Sequence, residues 1–185
     1  MVYVRRYFLR KAWGQAMRTL LLLRHAKSDR GQPALEDFAR PLNSRGREAA
    51  ARVGAWMKKH HLQPEWVVCS PSARTRETLA LLREHLAIPG TLIDFDDRVY
   101  RADVPDLLEV LARCPEDMSN VLLVGHNPGL EHLLAYLCGE PLPLSAKGKL
   151  LSTAALAQVA LPDDWHGLPL RAGKLIHLIR PEELT

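Results

Sequence analysis

A chain of 185 residues with 47% hydrophobic content can bury the core of one domain, which excludes a disordered or fibrous chain. The formal charge of +4 does not mark a nucleic-acid binder, because Arg5, Arg6, Arg10 and Lys11 account for all of it and leave 21 of the 25 basic residues against 21 acidic ones. No apolar run reaches the ~18 residues of a membrane-spanning helix, so the expectation is a soluble, cytoplasmic protein with neither nucleic acid nor membrane as partner.

Cys69, Cys114 and Cys138 are odd in number, far apart and without CxxC spacing. That pattern argues against a disulfide framework and against a zinc site, and reads as small buried hydrophobes in a reducing compartment. Residues 1–16, MVYVRRYFLRKAWGQA, carry no acid and no clean apolar core of a secretory signal. They read as a basic extension ahead of a single domain at 17–185, with a membrane-surface helix or transit-like peptide as the alternative.

In chain order, Thr19–Leu23 is a buried strand that ends at Arg24-His25. The stretch from Asp29 to Asn43, with its glycine, prolines and mixed charge, reads as a loop. Asn43 or Ser44 can cap a long helix on which Ala49, Ala50, Val53, Trp56 and Met57 recur at helical spacing, up to His60-His61 at its end. Glu65–Ser70 reads as a second strand, and Ser72–Ala87 as a helix with Leu79, Leu82 and Leu86 on one face. Thr91–Phe95 is a short strand, and Asp103 caps a helix with Pro105 in its first turn. Asn120–Val124 repeats the opening pattern, a buried strand running into Gly125-His126 and a helix through Leu137. Thr153–Leu161 and Lys174–Ile179 close the chain as an antiparallel edge hairpin. The alternation implies a three-layer α/β/α sandwich with a mostly parallel central sheet and an antiparallel edge.

In such sheets ligands collect beyond the carboxyl ends of neighbouring parallel strands. His25, His126 and an arginine from the helix after Ser70 can share that crevice. Arg74 and Arg76 stand about 200° apart around a helix axis, so only one faces inward, and Arg74 is the choice. Two arginines, Arg24 and Arg74, with two histidines and no metal-ligand cluster, suit a tetrahedral phosphoryl dianion. Fixed cations lower the barrier of phosphoryl transfer, and a neutral imidazole can attack, forming a covalent phosphohistidine that water then releases. Taken singly, each of these residues has an ordinary structural reading; the joint placement at three strand ends is what points to a site.

Four motifs carry a family resemblance. RHAKS at 24–28, RPLNSRG at 40–46, SPSARTRET at 70–78 and VGHNPGL at 124–130 resemble, in order and approximate spacing, those of the histidine phosphatase superfamily, the phosphoglycerate mutase-like proteins, and within it the small phosphohistidine phosphatases of the SixA type. The likeness spans residues 18 to about 181. It implies that His25 is the phosphate acceptor, that Arg24, Arg74 and His126 complete the pocket, and that no cofactor is needed. It also implies that the RPLNSRG stretch borders the site, although Arg40 and Arg45 can simply brace a loop and a helix. Many members of the superfamily carry a proton-donating carboxylate in the segment that here reads FDDRVY, so Asp97, with Asp96 second, is the candidate general acid; a solvated turn is the plain alternative.

The expected activity is hydrolysis of a protein phosphohistidine, with inorganic phosphate as product. A phosphomonoesterase for a small phosphorylated substrate, and a non-catalytic phosphate-binding module, are the competing readings.

Overall fold

Leu20–Leu23 lie in strand β1 (Arg18–Arg24), and all four are buried. A strand covered on both faces needs apolar side chains at every position, which is why the run does not alternate with polar residues. The computed structural model describes residues 18–29, 35–139 and 141–184, so the expected extension at 1–16 lies outside the described residues.

The remaining elements are helix α1 (Ser44–Lys59), β2 (Trp66–Cys69), α2 (Ala73–Arg83), β3 (Ile93–Phe95), α3 (Val104–Leu111), β4 (Asn120–Gly125), α4 (Gly129–Cys138), β5 (Leu156–Leu161) and β6 (Lys174–Ile179). The six strands form one sheet in the order β3-β2-β4-β1-β5-β6. The first four are parallel, and β5 and β6 extend the sheet antiparallel beyond β1. Leu21 and Leu23 face a core shared with Ala50, Val53 and Met57 of α1 and Leu79 and Leu82 of α2. Leu20 and Leu22 face the opposite core, with Leu107 and Leu111 of α3 and Leu130 and Leu133 of α4. This is the expected three-layer α/β/α architecture.

Local chemistry explains most boundaries. Asn43 caps α1 by accepting from the Gly46 amide at 2.9 Å, and Asp103 and Asp106 form a reciprocal capping box at the start of α3. Three readings need adjustment. Helix α2 stops at Arg83 rather than Ala87; Pro89 disfavours helical backbone at Ile88, whose carbonyl instead accepts from Arg83 Nε at 3.0 Å. The strand expected from Thr153 starts only at Leu156, because Ala154 adopts left-handed backbone (φ 60°) in a turn closed by Ala155 N donating to Ser152 O. The strand expected from Thr91 begins at Ile93, after a single 3-10 turn at Gly90–Leu92. Within the loop expected from Asp29 to Asn43, another 3-10 turn forms at Asp37–Ala39. Among the described residues, no helix is long and apolar enough to cross a membrane.

The register decides where the chemistry falls. Val124 pairs with both Leu23 and Cys69, so β1, β4 and β2 end together. The residues that follow, Arg24-His25, Gly125-His126 and Ser70, emerge at one edge of the sheet.

Candidate active site

His25 stands at the end of the central strand with its backbone fully engaged. Its amide donates to Gly125 O at 3.0 Å, and its carbonyl accepts from Ala154 N at 3.1 Å, the donor that the left-handed turn supplies. Its Nδ1 lies 2.7 Å from Ala26 O. A carbonyl only accepts, so Nδ1 carries the proton in the neutral ring and Nε2 keeps its lone pair. The Ala26 amide is bonded to Thr78 Oγ1 at 3.0 Å, and that hydroxyl donates to Arg74 O, which ties the loop after β1 to helix α2.

The rings of His25 and His126 lie 5.0 Å apart between centroids. Arg74, only 6% exposed, brings Nη2 to 3.3 Å from His126 Nδ1, and the other ring nitrogen of His126 lies 2.9 Å from Ser70 Oγ. A guanidinium only donates, so Nδ1 of His126 accepts and its Nε2–H donates to Ser70. Arg24 anchors by Nη1 to Leu151 O at 2.8 Å. The two rings and Arg74 thus meet at one place, and the charge of Arg24 is felt at both rings. Arg76 turns away from it, donating from Nε to Pro71 O and stacking its guanidinium 3.8 Å from the centre of the Phe95 ring.

Electrostatics keep both rings neutral. Burial, followed by the charges of Arg74 and Arg24, pushes His25 from the ordinary 6.5 down to about 4, despite the opposing hydrogen bond to Ala26. Burial, then the proximity of His25 and Arg74, takes His126 down to about 3. An unprotonated Nε2 flanked by fixed cations is the state a phosphorus nucleophile requires.

The carboxylate nearest this chemistry is one the sequence reading passed over. Asp37 accepts from Arg74 Nη2 (2.9 Å), Tyr100 Oη (2.9 Å) and Arg40 Nη1 (2.7 Å), and its carbonyl also accepts from Arg74 Nη1. Arg40 further donates to Ser28 Oγ at 2.7 Å, so the RPLNSRG stretch does border the site. Tyr100 packs edge-on against His126, with centroids 5.4 Å apart. Asp97 opens a 3-10 turn (Asp97–Val99) and is exposed, with no hydrogen bond or ion pair to His25, Arg74 or His126. Asp96 is held by Arg98. The carboxylates expected to serve the pocket therefore stand outside its hydrogen-bond network, while Asp37 and Tyr100 stand inside it. Ser70, in the SPSARTRET stretch, enters the site as the partner of His126 Nε2. The Leu130 amide donates to His126 O at 3.0 Å.

Burial raises Cys69 and Cys114 to about 12 and Cys138 to about 11, as inert apolar thiols require. Among the described residues, no group of three or more His, Cys, Asp or Glu is placed to hold a metal ion.

Comparison with known proteins places this fold and pocket beside those of known phosphatases. The family model described as histidine phosphatase superfamily (branch 1) matches residues 20–99. The phosphohistidine phosphatase SixA of Escherichia coli strain K12 is 28% identical over 150 residues, covering 80% of this chain and 88% of its own. A solved structure from Nakamurella multipartitia, named for SixA, is 29% identical with a TM-score of 0.75 and covers 89% and 96% of the two chains. The protein histidine phosphatase SixA solved with tungstate shares the fold at a TM-score of 0.75, with 24% identity over 90% of this chain and 99% of its own.

Proposed function

We propose that this protein removes phosphoryl groups from phosphohistidine side chains of a partner protein, through a covalent phosphohistidine on its own His25. The observation that carries the reading is the neutral imidazole of His25, its Nδ1–H held by Ala26 O, its Nε2 left with a lone pair, and its ring 5.0 Å from that of His126, which Arg74 meets. In the first step Nε2 bonds to phosphorus while the bond to the leaving nitrogen breaks. Arg24 and Arg74 hold the equatorial oxygens as charge builds on them, and His126 joins them by turning its Nε2–H from Ser70 to a phosphoryl oxygen. Water then attacks the phosphoryl group on His25, and inorganic phosphate leaves.

Similarity to SixA supports a phosphohistidine substrate, and so does the architecture. Among the described residues, the connections after β1 and β3 carry only the single-turn 3-10 segments at Asp37–Ala39 and Asp97–Val99, and a site without a longer covering segment suits a side chain carried by a protein.

The test is rapid mixing with a histidine-phosphorylated phosphocarrier protein bearing labelled phosphate. An acid-labile, base-stable label on His25 within one turnover, absent in His25→Ala, is the expected result. Phosphate release with no label on His25 overturns it.

A further inference from the structure

The 3-10 turn at Asp37–Ala39 presents two groups that phosphate binding itself does not need. One is the Asp37 carboxylate, 40% exposed although it accepts from Arg74, Arg40 and Tyr100. The other is Phe38, a large apolar ring 39% exposed, standing edge-on to Tyr100 with centroids 5.0 Å apart. Tyr100 in turn meets His126. A short ladder of rings thus runs from the pocket out to solvent, with a carboxylate beside it.

A carboxylate at the edge of an anion site weakens the binding of any dianion, so its placement calls for a compensating use. Partial burial of Asp37 works against ionisation, but the Tyr100 hydroxyl, Arg74 and Arg40 outweigh it and hold the group below its ordinary value. Its charge is felt at both His25 and His126. An ionised carboxylate cannot protonate a departing ester oxygen. It can, however, hold a cation.

An N-phosphorylated imidazole has that need. The phosphorylated nitrogen has committed its lone pair to the ring, while the other nitrogen keeps an in-plane lone pair that can take up a proton, and it is this protonated form that reacts. When Nε2 of His25 bonds to phosphorus and the P–N bond breaks, the bonding pair stays on the departing nitrogen. The proton already on the far nitrogen makes the product a neutral imidazole rather than an imidazolate. What helps this reaction is an acceptor for the far N–H and a surface for the face of a cationic ring.

We propose that Asp37 and Phe38 form a leaving-group subsite that selects a protonated imidazole, Asp37 accepting its distal N–H and Phe38 packing on its face. The subsite rests on the phosphohistidine reading above and adds the reason for its selectivity. Asp37 keeps a further role as a positioning residue for Arg74, and the experiment separates the two.

Wild type, Asp37→Asn and Phe38→Ala are compared on free phosphohistidine and on 4-nitrophenyl phosphate, whose leaving phenolate needs neither a proton nor a carboxylate. Asp37→Asn is expected to lower the ratio of kcat/KM for phosphohistidine over 4-nitrophenyl phosphate about tenfold or more, the scale of a hydrogen bond to a charged group. Phe38→Ala, at an exposed ring where folding is not at stake, is expected to lower the same ratio about threefold, mainly through KM. Equal losses on both substrates in both variants overturn the subsite and leave the phosphohistidine reading standing, with Asp37 serving Arg74 alone. Wild-type turnover of 4-nitrophenyl phosphate without turnover of phosphohistidine overturns both.

Discussion

Acidification tests the electrostatic design of the pocket without a mutation. His25 and His126 titrate near 6.5 when unfolded, but near 4 and 3 in the folded protein. Between those limits the unfolded chain binds protons that the native state refuses, so the stability conferred is full above 6.5 and is lost as pH falls toward 4. At about pH 5 each ring costs about 2 kcal/mol relative to about pH 7.5, or about 4 kcal/mol for the pair. Against a typical domain stability of about 5–15 kcal/mol this is a large fraction. Asp37 and Asp96 titrate below their ordinary carboxyl values and so act only at lower pH. Urea denaturation in phosphate-free buffer at the two pH values measures the difference, and His25→Asn should remove about half of it. A change in the urea midpoint equivalent to less than about 1 kcal/mol, with the slope unchanged, refutes the claim that both rings are held neutral by burial and neighbouring cations.

Three substitutions probe the supports of the site. Ser70→Ala leaves the Nε2–H of His126 without its 2.9 Å partner in a buried setting, and is expected to cost about 1–3 kcal/mol in urea denaturation and to lower kcat more than KM. Gly129→Ala places a Cβ about 2.3 Å from the Ala102 carbonyl oxygen, a backbone atom, so a loss of about 3 kcal/mol or more and a lower melting temperature are expected, with activity falling because His126 lies three residues upstream. Arg74→Lys keeps the charge but loses the fork that reaches Asp37 and His126 together; inorganic phosphate should bind about tenfold more weakly by calorimetry, and a smaller change would count against bidentate recognition.

The architecture was legible because its signals are dense and local. The leucine run of β1, the Asn43 and Asp103 caps and the strand-to-Gly125-His126 junction each specify their element within a few residues. Helix geometry put Arg74 and Arg76 on different faces without saying which looks inward, and the structure turns only Arg74 toward His126. Asp37 was not legible. It sits in a stretch whose composition reads as loop, and its partners Arg74 and Tyr100 lie 37 and 63 residues away, so no periodicity links them. A signal was present in its position three residues before Arg40, within the motif-bearing region, and it becomes informative only once the turn is seen to fold back on α2. The segment FDDRVY drew attention to its aspartates, yet its tyrosine is the residue that reaches the pocket, because the 3-10 turn at Asp97–Val99 points Asp97 to solvent and brings Tyr100 inward.

The two backbone bonds of His25, one to β4 and one from the turn before β5, reach beyond geometry. An attacking atom grafted onto a flexible loop would have to be immobilised anew in every catalytic cycle, an entropic toll drawn from substrate affinity. His25 is ordered when the polypeptide folds, so the imidazole proposed to attack inherits the stiffness of the central strand. Under that proposal catalytic competence and the integrity of the central sheet are one property: loosening the β1–β4 seam blunts the nucleophile before the protein visibly unfolds.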